Sequence, residues 1–298
     1  MFKATGEDTR MHHRVVQGPR RMTGATMTAM AVVGAAALIA LQAPGTAIAA
    51  GPVWAPSGQA TIHPGVSTDT QGGGQCTSNF IFYNATDVFI GQAAHCAGTG
   101  PATETSGCTA GTKPLGTPVT IAGASKPGTL VYSSWITMAK RAEKDANTCD
   151  YNDFALVRID PADRGKVNPS LPFFGGPIGI STATTAFGDR IFTYGNSKLR
   201  GGVTALSPKT GFSLGDNGGG WSHTCYTASP GIPGDSGSAV LIGDGKALGV
   251  LTSLAVAPLA ASNGVGDLSR ELDYLNAHGG LGTIELALGT EPFHPPLS

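Results

Sequence analysis

The stretch GIPGDSGSAV, residues 231–240, contains the tetrapeptide Gly-Asp-Ser-Gly, with Ser236 as its serine. Taken alone, this serine has two interpretations. Glycine, aspartate and serine are common turn residues, so the tetrapeptide is compatible with an ordinary loop. The other interpretation is a nucleophile, which requires a neighbouring base and an acid that orients this base. The second interpretation therefore holds only if the fold brings a histidine and a carboxylate to Ser236.

A candidate base is His95, in the segment GQAAHC at residues 91–96. The segments SNFIFY and VFIGQ are rich in aromatic and β-branched residues and are separated by the polar turn NATD, which predicts a β-hairpin. His95 follows the second strand of this hairpin. A disulfide from Cys96 to Cys76, at the start of the preceding strand, would hold the imidazole at a fixed height. A single histidine is more often a structural or surface residue, so only this setting favours His95 as a general base.

A candidate acid is Asp153, in the segment NDFALVRI at residues 152–159. It directly precedes a predicted strand of alternating apolar residues. One interpretation is a turn or strand-capping aspartate. The other is an acid at a strand end that accepts a hydrogen bond from an imidazole N–H and stabilises the imidazolium.

Together, the segments AAHC, DFAL and GDSGS follow one another in this order, and a cysteine lies 20 residues before the cysteine of the first segment. In these motifs the chain resembles the chymotrypsin-like (trypsin-like) serine proteases, most closely their secreted bacterial members, over about three quarters of its length. The resemblance implies His95 as general base, Asp153 as its orienting acid and Ser236 as nucleophile. It also implies an oxyanion hole formed by the backbone N–H groups of Gly234 and Ser236.

Other polar residues near these motifs are interpreted as structural or surface residues, because none has a matching motif. They are Asp150, Ser238, His63, His223 and His278.

The fold class that the resemblance implies is all-β: two antiparallel six-stranded β-barrels with the catalytic groups in the cleft between them, and a C-terminal α-helix. The residues agree, since six further strand candidates are separated by turn signals. We place the first barrel at about residues 75–165, the second at about 175–298 and a linker at 161–179. The strand candidates are PVTIAG, TLVYSSWI, FALVRI, RIFTYG, SAVLI and ALGVLTSL.

The segment DLSRELDYLNAHGG, residues 267–280, predicts the C-terminal helix. Leu268, Leu272 and Leu275 follow the helical period, with Asp267 as N-cap and Gly279 at the C-terminal end.

Residues 1–49 are predicted to be a secretory signal peptide, followed by a protease domain at 50–298. Arginines precede the apolar run AMAVVGAAALIAL, and small residues at 47 and 49 mark a cleavage site near Ala49. An uncleaved membrane anchor is the alternative. A membrane span needs about 20 apolar residues, and the run has 13.

The remaining chain has 14 basic and 18 acidic residues, a net charge of −4. It contains no basic run, which argues against nucleic acid as a partner, and after signal cleavage no stable membrane association is expected. No cysteine or histidine cluster suggests zinc, so neither a metal nor an organic cofactor is expected. All five cysteines follow residue 49, as in a secreted protein with disulfides.

Several disulfide pairings fit five cysteines. Besides Cys76–Cys96 we expect Cys108–Cys149, because both cysteines belong to the first predicted barrel. This leaves Cys225 free or paired outside the chain.

The chain departs from the family in two places. Members activated by proteolysis begin with an Ile-Val-Gly-Gly-like sequence, whose amino group pairs with the aspartate before the serine. No such sequence precedes Cys76. We therefore expect Asp235 to pair with a side chain, Arg200 being the candidate. In trypsin-like members an aspartate six residues before the nucleophile binds a basic substrate side chain. Here that residue is Pro230, which predicts that cleavage after Lys or Arg is disfavoured. A distant acid such as Asp216 would have to reach the pocket to change this.

The sequence thus predicts a secreted serine endopeptidase that hydrolyses peptide bonds of protein or peptide substrates through an acyl-enzyme. One alternative is a catalytically weak or inactive binding protein with the same fold. An esterase of another fold is a further alternative, but it would favour a G-x-S-x-G motif and the order Ser, acid, His.

Overall fold

The computed structural model describes residues 51–101, 106–255 and 259–296. The predicted signal peptide, 1–49, lies outside the described residues. The predicted all-β fold, with two antiparallel β units and a helix near the C-terminus, is confirmed. The strands are β1 (Ser67–Thr70), β2 (Gln75–Thr77), β3 (Ile81–Tyr83), β4 (Val88–Gln92), β5 (Pro118–Ile121), β6 (Gly128–Ser133), β7 (Ala155–Arg158), β8 (Arg190–Tyr194), β9 (Pro208–Asn217), β10 (Ser222–Thr227), β11 (Ala239–Ile242), β12 (Ala247–Ala255), β13 (Ser262–Asp267) and β14 (Glu285–Leu286). The α-helices are α1 (Ser134–Arg141), α2 (Ala146–Tyr151) and α3 (Leu268–His278).

The first β unit is an antiparallel sheet in the order β14-β3-β4-β7-β6-β5-β1-β2. Strands β2 and β3 are separated by only three residues. The chain therefore directly connects β2, at one end of this order, to β3, which is next to the other end. Counted as one bent strand, they complete a ring of six strands, with β14 paired to the outside of β3. Apolar side chains such as Ile81, Ile90 and Val157 fill its core.

The second β unit is a closed six-stranded barrel in the order β10-β13-β12-β11-β8-β9. Its buried residues include Val240, Leu251 and Val265. The chain after α3 does not stay with this unit, although the prediction assigned all residues after 175 to it. Instead, β14 returns to the first unit and pairs with Tyr83 and Phe82.

Helix α3 is the predicted C-terminal helix. The side chain of Asp267 accepts a hydrogen bond from the N–H of Arg270, and the N–H of Gly279 closes the last turn on Leu275. The three predicted leucines are buried. None of the helices in the described part of the chain is long and apolar enough to cross a membrane.

Two shorter helices differ from the prediction. The strand candidate TLVYSSWI is a strand only up to Ser133 and then continues as α1. Trp135 and Met138, three residues apart, both point from α1 into the core, which is the spacing of one helix face. Helix α2 begins at the side chain of Asp145, which accepts the N–H of Thr148. It leads the chain to Asp153.

Candidate active site

Asp153 and His95 meet because their strands are neighbours. His95 lies in a 3₁₀ turn directly after β4, Asp153 lies just before β7, and β4 pairs with β7 at Gln92 and Ala155. Asp153 Oδ2 is 2.6 Å from His95 Nδ1, and Asp153 Oδ1 accepts the backbone N–H of His95 at 2.8 Å. A carboxylate only accepts hydrogen bonds, so Nδ1 carries the proton and Nε2 is left as the basic nitrogen.

The electrostatics of this pair act on the imidazole in two directions. Burial lowers the pKa of His95, but the negative charge of Asp153 and its hydrogen bond raise it by more. The net result is a pKa above the usual value of His95. The imidazolium form is therefore stabilised, as a base that accepts a proton during a reaction requires.

Ser236 comes from the second β unit, in the loop between β10 and β11, and its carbonyl oxygen accepts the N–H of Thr77 at 2.9 Å. Thr77 follows Cys76, which is bridged to Cys96 next to His95. The main chain of Ser236 is thus connected to the segment that carries His95 through Thr77 and the Cys76–Cys96 disulfide. No hydrogen bond among the described residues joins Ser236 Oγ to the His95 ring.

The backbone around Ser236 presents two unpaired donors. The N–H of Asp235 donates to Ile232 O at 2.8 Å, and the N–H of Gly237 donates to Leu251 O at 2.6 Å. The N–H groups of Gly234 and Ser236, by contrast, have no hydrogen-bond acceptor among the described residues. Both residues are partly exposed, so these donors are open to an oxygen atom of a bound molecule.

Gly234 is required at its position for two reasons. Its φ is +94°, in the left-handed region that L-residues with a side chain seldom adopt. A Cβ atom there would also collide with Gln75 Oε1 and lie 2.9 Å from Ser197 Oγ. A glycine is therefore needed to keep the backbone N–H in this orientation.

The carboxylate of Asp235 is buried and held by two cations. Arg200 Nη2 lies 2.6 Å from Oδ2, which confirms the predicted partner, and Lys209 Nζ lies 3.3 Å from the same oxygen. Backbone N–H groups of Ser197 and Ile232 add two hydrogen bonds. A buried carboxylate needs such partners, and here they fix the loop that carries Ser236.

Lys209 was missed from the sequence, because a lysine within a strand is usually solvated. It is fully buried. Burial lowers its pKa, the charge of Asp235 raises it and the charge of Arg200 lowers it again, and the result is a pKa below the usual value. The structure thus places two basic groups around one carboxylate.

A second residue missed from the sequence is Glu271 on α3, whose carboxyl oxygen Oε1 accepts the N–H of Asp153 at 3.1 Å. A signal was present: position 271 lies on the same helix face as Leu268, Leu272 and Leu275. A charged residue type on a buried face marks a polar contact in the interior.

The disulfides follow the expected pairing. Cys76–Cys96 has a Cα–Cα distance of 6.1 Å, and Cys108–Cys149 has one of 5.1 Å. Cys225 has no disulfide partner and is buried. Burial, and to a smaller extent the charge of Asp216, raises the pKa of its thiol to about 12. It is therefore a poor nucleophile.

Among the residues that the structure describes, one group of side chains has the spacing of metal ligands, namely Cys76, Cys96 and His95, whose ligand atoms lie within 4.8 Å of one another. Both sulfur atoms belong to a disulfide, so neither is a thiolate. This group does not fit a metal ion.

The residues interpreted as structural or surface residues either make local contacts or are exposed to solvent. Asp150 is exposed. Ser238 Oγ is buried and donates to Asp235 O at 2.6 Å. His63 contacts the carbonyl of Pro64, and His278 packs its ring on Tyr274.

His223 is a buried link within the second barrel. Its Nδ1 lies 2.7 Å from Asp216 Oδ1 and its Nε2 lies 3.0 Å from Asp267 Oδ2. Burial lowers its pKa, but the hydrogen bonds to Asp267 and Asp216 raise it by more. Asp216 also binds Thr185. All of these contacts use Oδ1 of Asp216, whereas Oδ2 is buried and has no hydrogen-bond partner among the described residues.

The guanidinium of Arg200, which is paired with Asp235, lies beside Pro230. Arg200 Nη2 donates to the carbonyl of Pro230 at 3.0 Å. Beside it, the buried side chain of Asn263 accepts the N–H of Gly231 and donates to the carbonyl of Ser253. Pro230 is thus contacted by the guanidinium of Arg200, and Gly231 is contacted by the amide of Asn263.

No protein-family model and no curated protein sequence matches the chain. Solved structures do. Thermobifida fusca protease A is 17% identical, with 76% of this chain and 99% of that chain covered and a TM-score of 0.47. A chymotrypsin from Cellulomonas bogoriensis is 17% identical, with 76% and 98% covered and a TM-score of 0.45. A Glu endopeptidase is also 17% identical, with 74% and 94% covered and a TM-score of 0.49.

Proposed function

We propose that this chain is a secreted chymotrypsin-like serine endopeptidase, with protein or peptide substrates. The proposal rests on three sets of groups in the candidate active site. They are the hydrogen-bonded Asp153–His95 pair of the first β unit, Ser236 of the second unit, whose carbonyl accepts the N–H of Thr77, and the N–H groups of Gly234 and Ser236, which have no acceptor among the described residues. These are the groups that acyl transfer requires: a nucleophile, an oriented base and donors for an oxyanion.

In the proposed reaction, His95 Nε2 takes the proton from Ser236 Oγ while this oxygen attacks the carbonyl carbon of the scissile bond. The carbonyl oxygen becomes an oxyanion and accepts hydrogen bonds from the N–H groups of Gly234 and Ser236. The imidazolium then gives its proton to the leaving amine, and the C–N bond breaks. Asp153 stabilises the imidazolium in both steps. Water repeats the sequence on the ester and releases the acid.

Secretion rests on the predicted signal peptide, cleaved near Ala49, and on the two disulfides, which persist in oxidising compartments. The ion pair of Arg200 with Asp235 supports a further point. A new amino terminus is not needed to hold Asp235, so we expect the protein to be active without cleavage at a family-type activation site.

The test is hydrolysis of an unfolded protein substrate by the purified secreted chain. Ser236→Ala should lower the rate by about 10⁴-fold or more, because loss of a triad nucleophile has effects of this size. Ser57→Ala is the matched control, since Ser57 is exposed and distant from Ser236 in sequence. Equal rates for the Ser236→Ala variant and the wild type, with both folded, would contradict the assignment. A folded wild type without turnover would favour the non-catalytic binding protein.

A further inference from the structure

Glu271 lies directly behind the Asp153–His95 pair. Glu271 is 0% exposed, and its Oε1 accepts a hydrogen bond from the backbone N–H of Asp153 at 3.1 Å. It comes from α3, an element that follows the second barrel, whereas Asp153 and His95 come from the first β unit. The C-terminal helix thus contacts the candidate active site through the carboxyl group of Glu271.

Asp153 is held at every polar atom. Its two carboxylate oxygens accept from the backbone N–H and the ring of His95, and its carbonyl oxygen accepts the N–H of Ala94 at 3.2 Å. Its own N–H has Glu271 as its acceptor. Asp153 is only 9% exposed, so without Glu271 this N–H would be buried and unpaired. Such a loss favours a local shift of the backbone that carries the carboxylate.

Gly266 of the neighbouring strand β13 leaves room for the Glu271 carboxyl group, and the backbone around it limits where this group can lie. A Cβ atom at Gly266 of β13 would lie 2.5 Å from Glu271 Oε1 and 3.4 Å from the carbonyl oxygen of Tyr151. The start of α3 is fixed by the Asp267 cap on Arg270. Backbone and cap together orient the side chain towards Asp153.

The charge state of Glu271 suits this contact. Burial raises its pKa well above the usual value, and the charges of Asp153 and Asp267 raise it further, against a lowering by the Asp153 hydrogen bond. Glu271 also helps to raise the pKa of Tyr132, and the neighbouring carboxylate of Asp267 is bound to His223. A neutral acid provides an acceptor for the Asp153 N–H without a second negative charge beside Asp153.

We propose that Glu271 is a positioning residue: through the hydrogen bond that its buried Oε1 accepts from the Asp153 N–H, it holds the backbone of Asp153 so that both carboxylate oxygens stay on His95. This inference rests on the proposed function for its effect on turnover. Its effect on the Asp153–His95 pair is independent of turnover.

The kinetic test compares Glu271→Met, which keeps the volume and loses the acceptor, with Glu271→Gln, which keeps an acceptor oxygen. Displacements of about 1 Å at a catalytic group lower rates by about 10²-fold, so we expect Glu271→Met to lower kcat by about 10- to 100-fold, with KM little changed. Glu271→Gln should restore kcat close to the wild type. Asp273→Ala, an exposed carboxylate on the same helix, is the control and should have no effect.

The second test measures the pKa of the His95 ring by NMR titration in a Ser236→Ala background, where no turnover is needed. Because Asp153 raises this pKa, Glu271→Met should lower it towards about 6.5, and Glu271→Gln should leave it unchanged. If Glu271→Met does not fold, Gly266→Ala displaces the carboxyl group without removing it and should shift the pKa in the same direction. An unchanged His95 pKa in a folded Glu271→Met or Gly266→Ala protein overturns the inference. An inactive wild type with the expected pKa shifts would contradict the proposed function and leave the inference supported.

Discussion

Arg200 and Asp235 form a buried ion pair, with Nη2 of the guanidinium 2.6 Å from Oδ2 of the carboxylate. Both side chains are nearly inaccessible to solvent, at 9% and 0% exposure. Asp235 directly precedes Ser236. Its pairing with Arg200 links the loop before β9 to the loop before β11. The orientation of the Gly234 and Ser236 N–H groups therefore depends on this ion pair between two side chains.

Removal of one partner of this pair should affect both stability and rate. Arg200→Met leaves Asp235 buried with Lys209 as its remaining cation, and breaking a buried pair costs about 3–5 kcal/mol of the free energy of unfolding. We expect kcat to fall more than KM rises, because the Gly234 N–H loses its fixed position. Urea unfolding and steady-state kinetics measure the two effects. A variant with wild-type stability and kcat would show that the pair does not hold the loop.

The rate should depend on pH through His95, which acts as a base only when unprotonated. Burial lowers the pKa of His95, but Asp153 raises it by more, so the net pKa lies above the usual value. The acid limb of kcat/KM should therefore have its midpoint above about 6.5, with activity rising with pH through it. The measurement is kcat/KM of the wild type between pH 5 and 9. A midpoint below 6.5, or a flat profile for the folded protein, is incompatible with this assignment.

Glu271 should make folding stability depend on pH in the opposite sense to an ordinary carboxylate. Burial raises its pKa in the folded protein, so it stays protonated there while the unfolded chain ionises above about pH 4.5. The stability that Glu271 contributes is present below pH 4.5 and is lost by about 1.4 kcal/mol per pH unit until the folded pKa is reached.

Glu271→Gln lacks this ionisation. The free energy of unfolding of the variant, minus that of the wild type, should increase between pH 4 and pH 7. Asp273→Ala provides the comparison for an exposed carboxylate of the same helix. A pH-independent difference for Glu271→Gln would mean that Glu271 titrates alike in the folded and unfolded chains.

Cleavage after Lys or Arg should be disfavoured. Pro230 stands where a trypsin-like enzyme has its aspartate, and the Arg200 guanidinium donates to the Pro230 carbonyl. The distant acid Asp216 is bound to His223 and Thr185. A basic substrate side chain would find no carboxylate at position 230, and the nearby carboxylate of Asp235 is already paired with Arg200 and Lys209. Profiling with a mixed peptide library measures the preference, and predominant cleavage after Arg or Lys would show that the pocket contains an acid.

Much of the candidate site could be predicted because its chemistry is local in sequence. His95 lies beside a cysteine at a strand end, Asp153 lies just before a strand, and Ser236 lies in the segment Gly-Asp-Ser-Gly. The cap and apolar stripe of α3 are likewise local signals.

The remaining features depend on contacts between distant segments. Lys209 is buried beside Asp235, which belongs to a loop distant from β9 in sequence. Strand β14 has two residues, and its pairing with β3 is set by the return of the chain after α3. The change from strand to helix at Ser134 depends on the core that receives Trp135 and Met138. No local pattern carries this information.

The central claim is that Ser236 is a nucleophile activated by His95. The most direct test is to incubate the secreted protein with a fluorophosphonate probe and to identify the labelled residue by peptide mapping. We expect one label on Ser236, no label in Ser236→Ala, and much slower labelling in His95→Ala, because the serine then lacks its base. Labelling of another residue, or no labelling of the folded wild-type protein, would contradict the account.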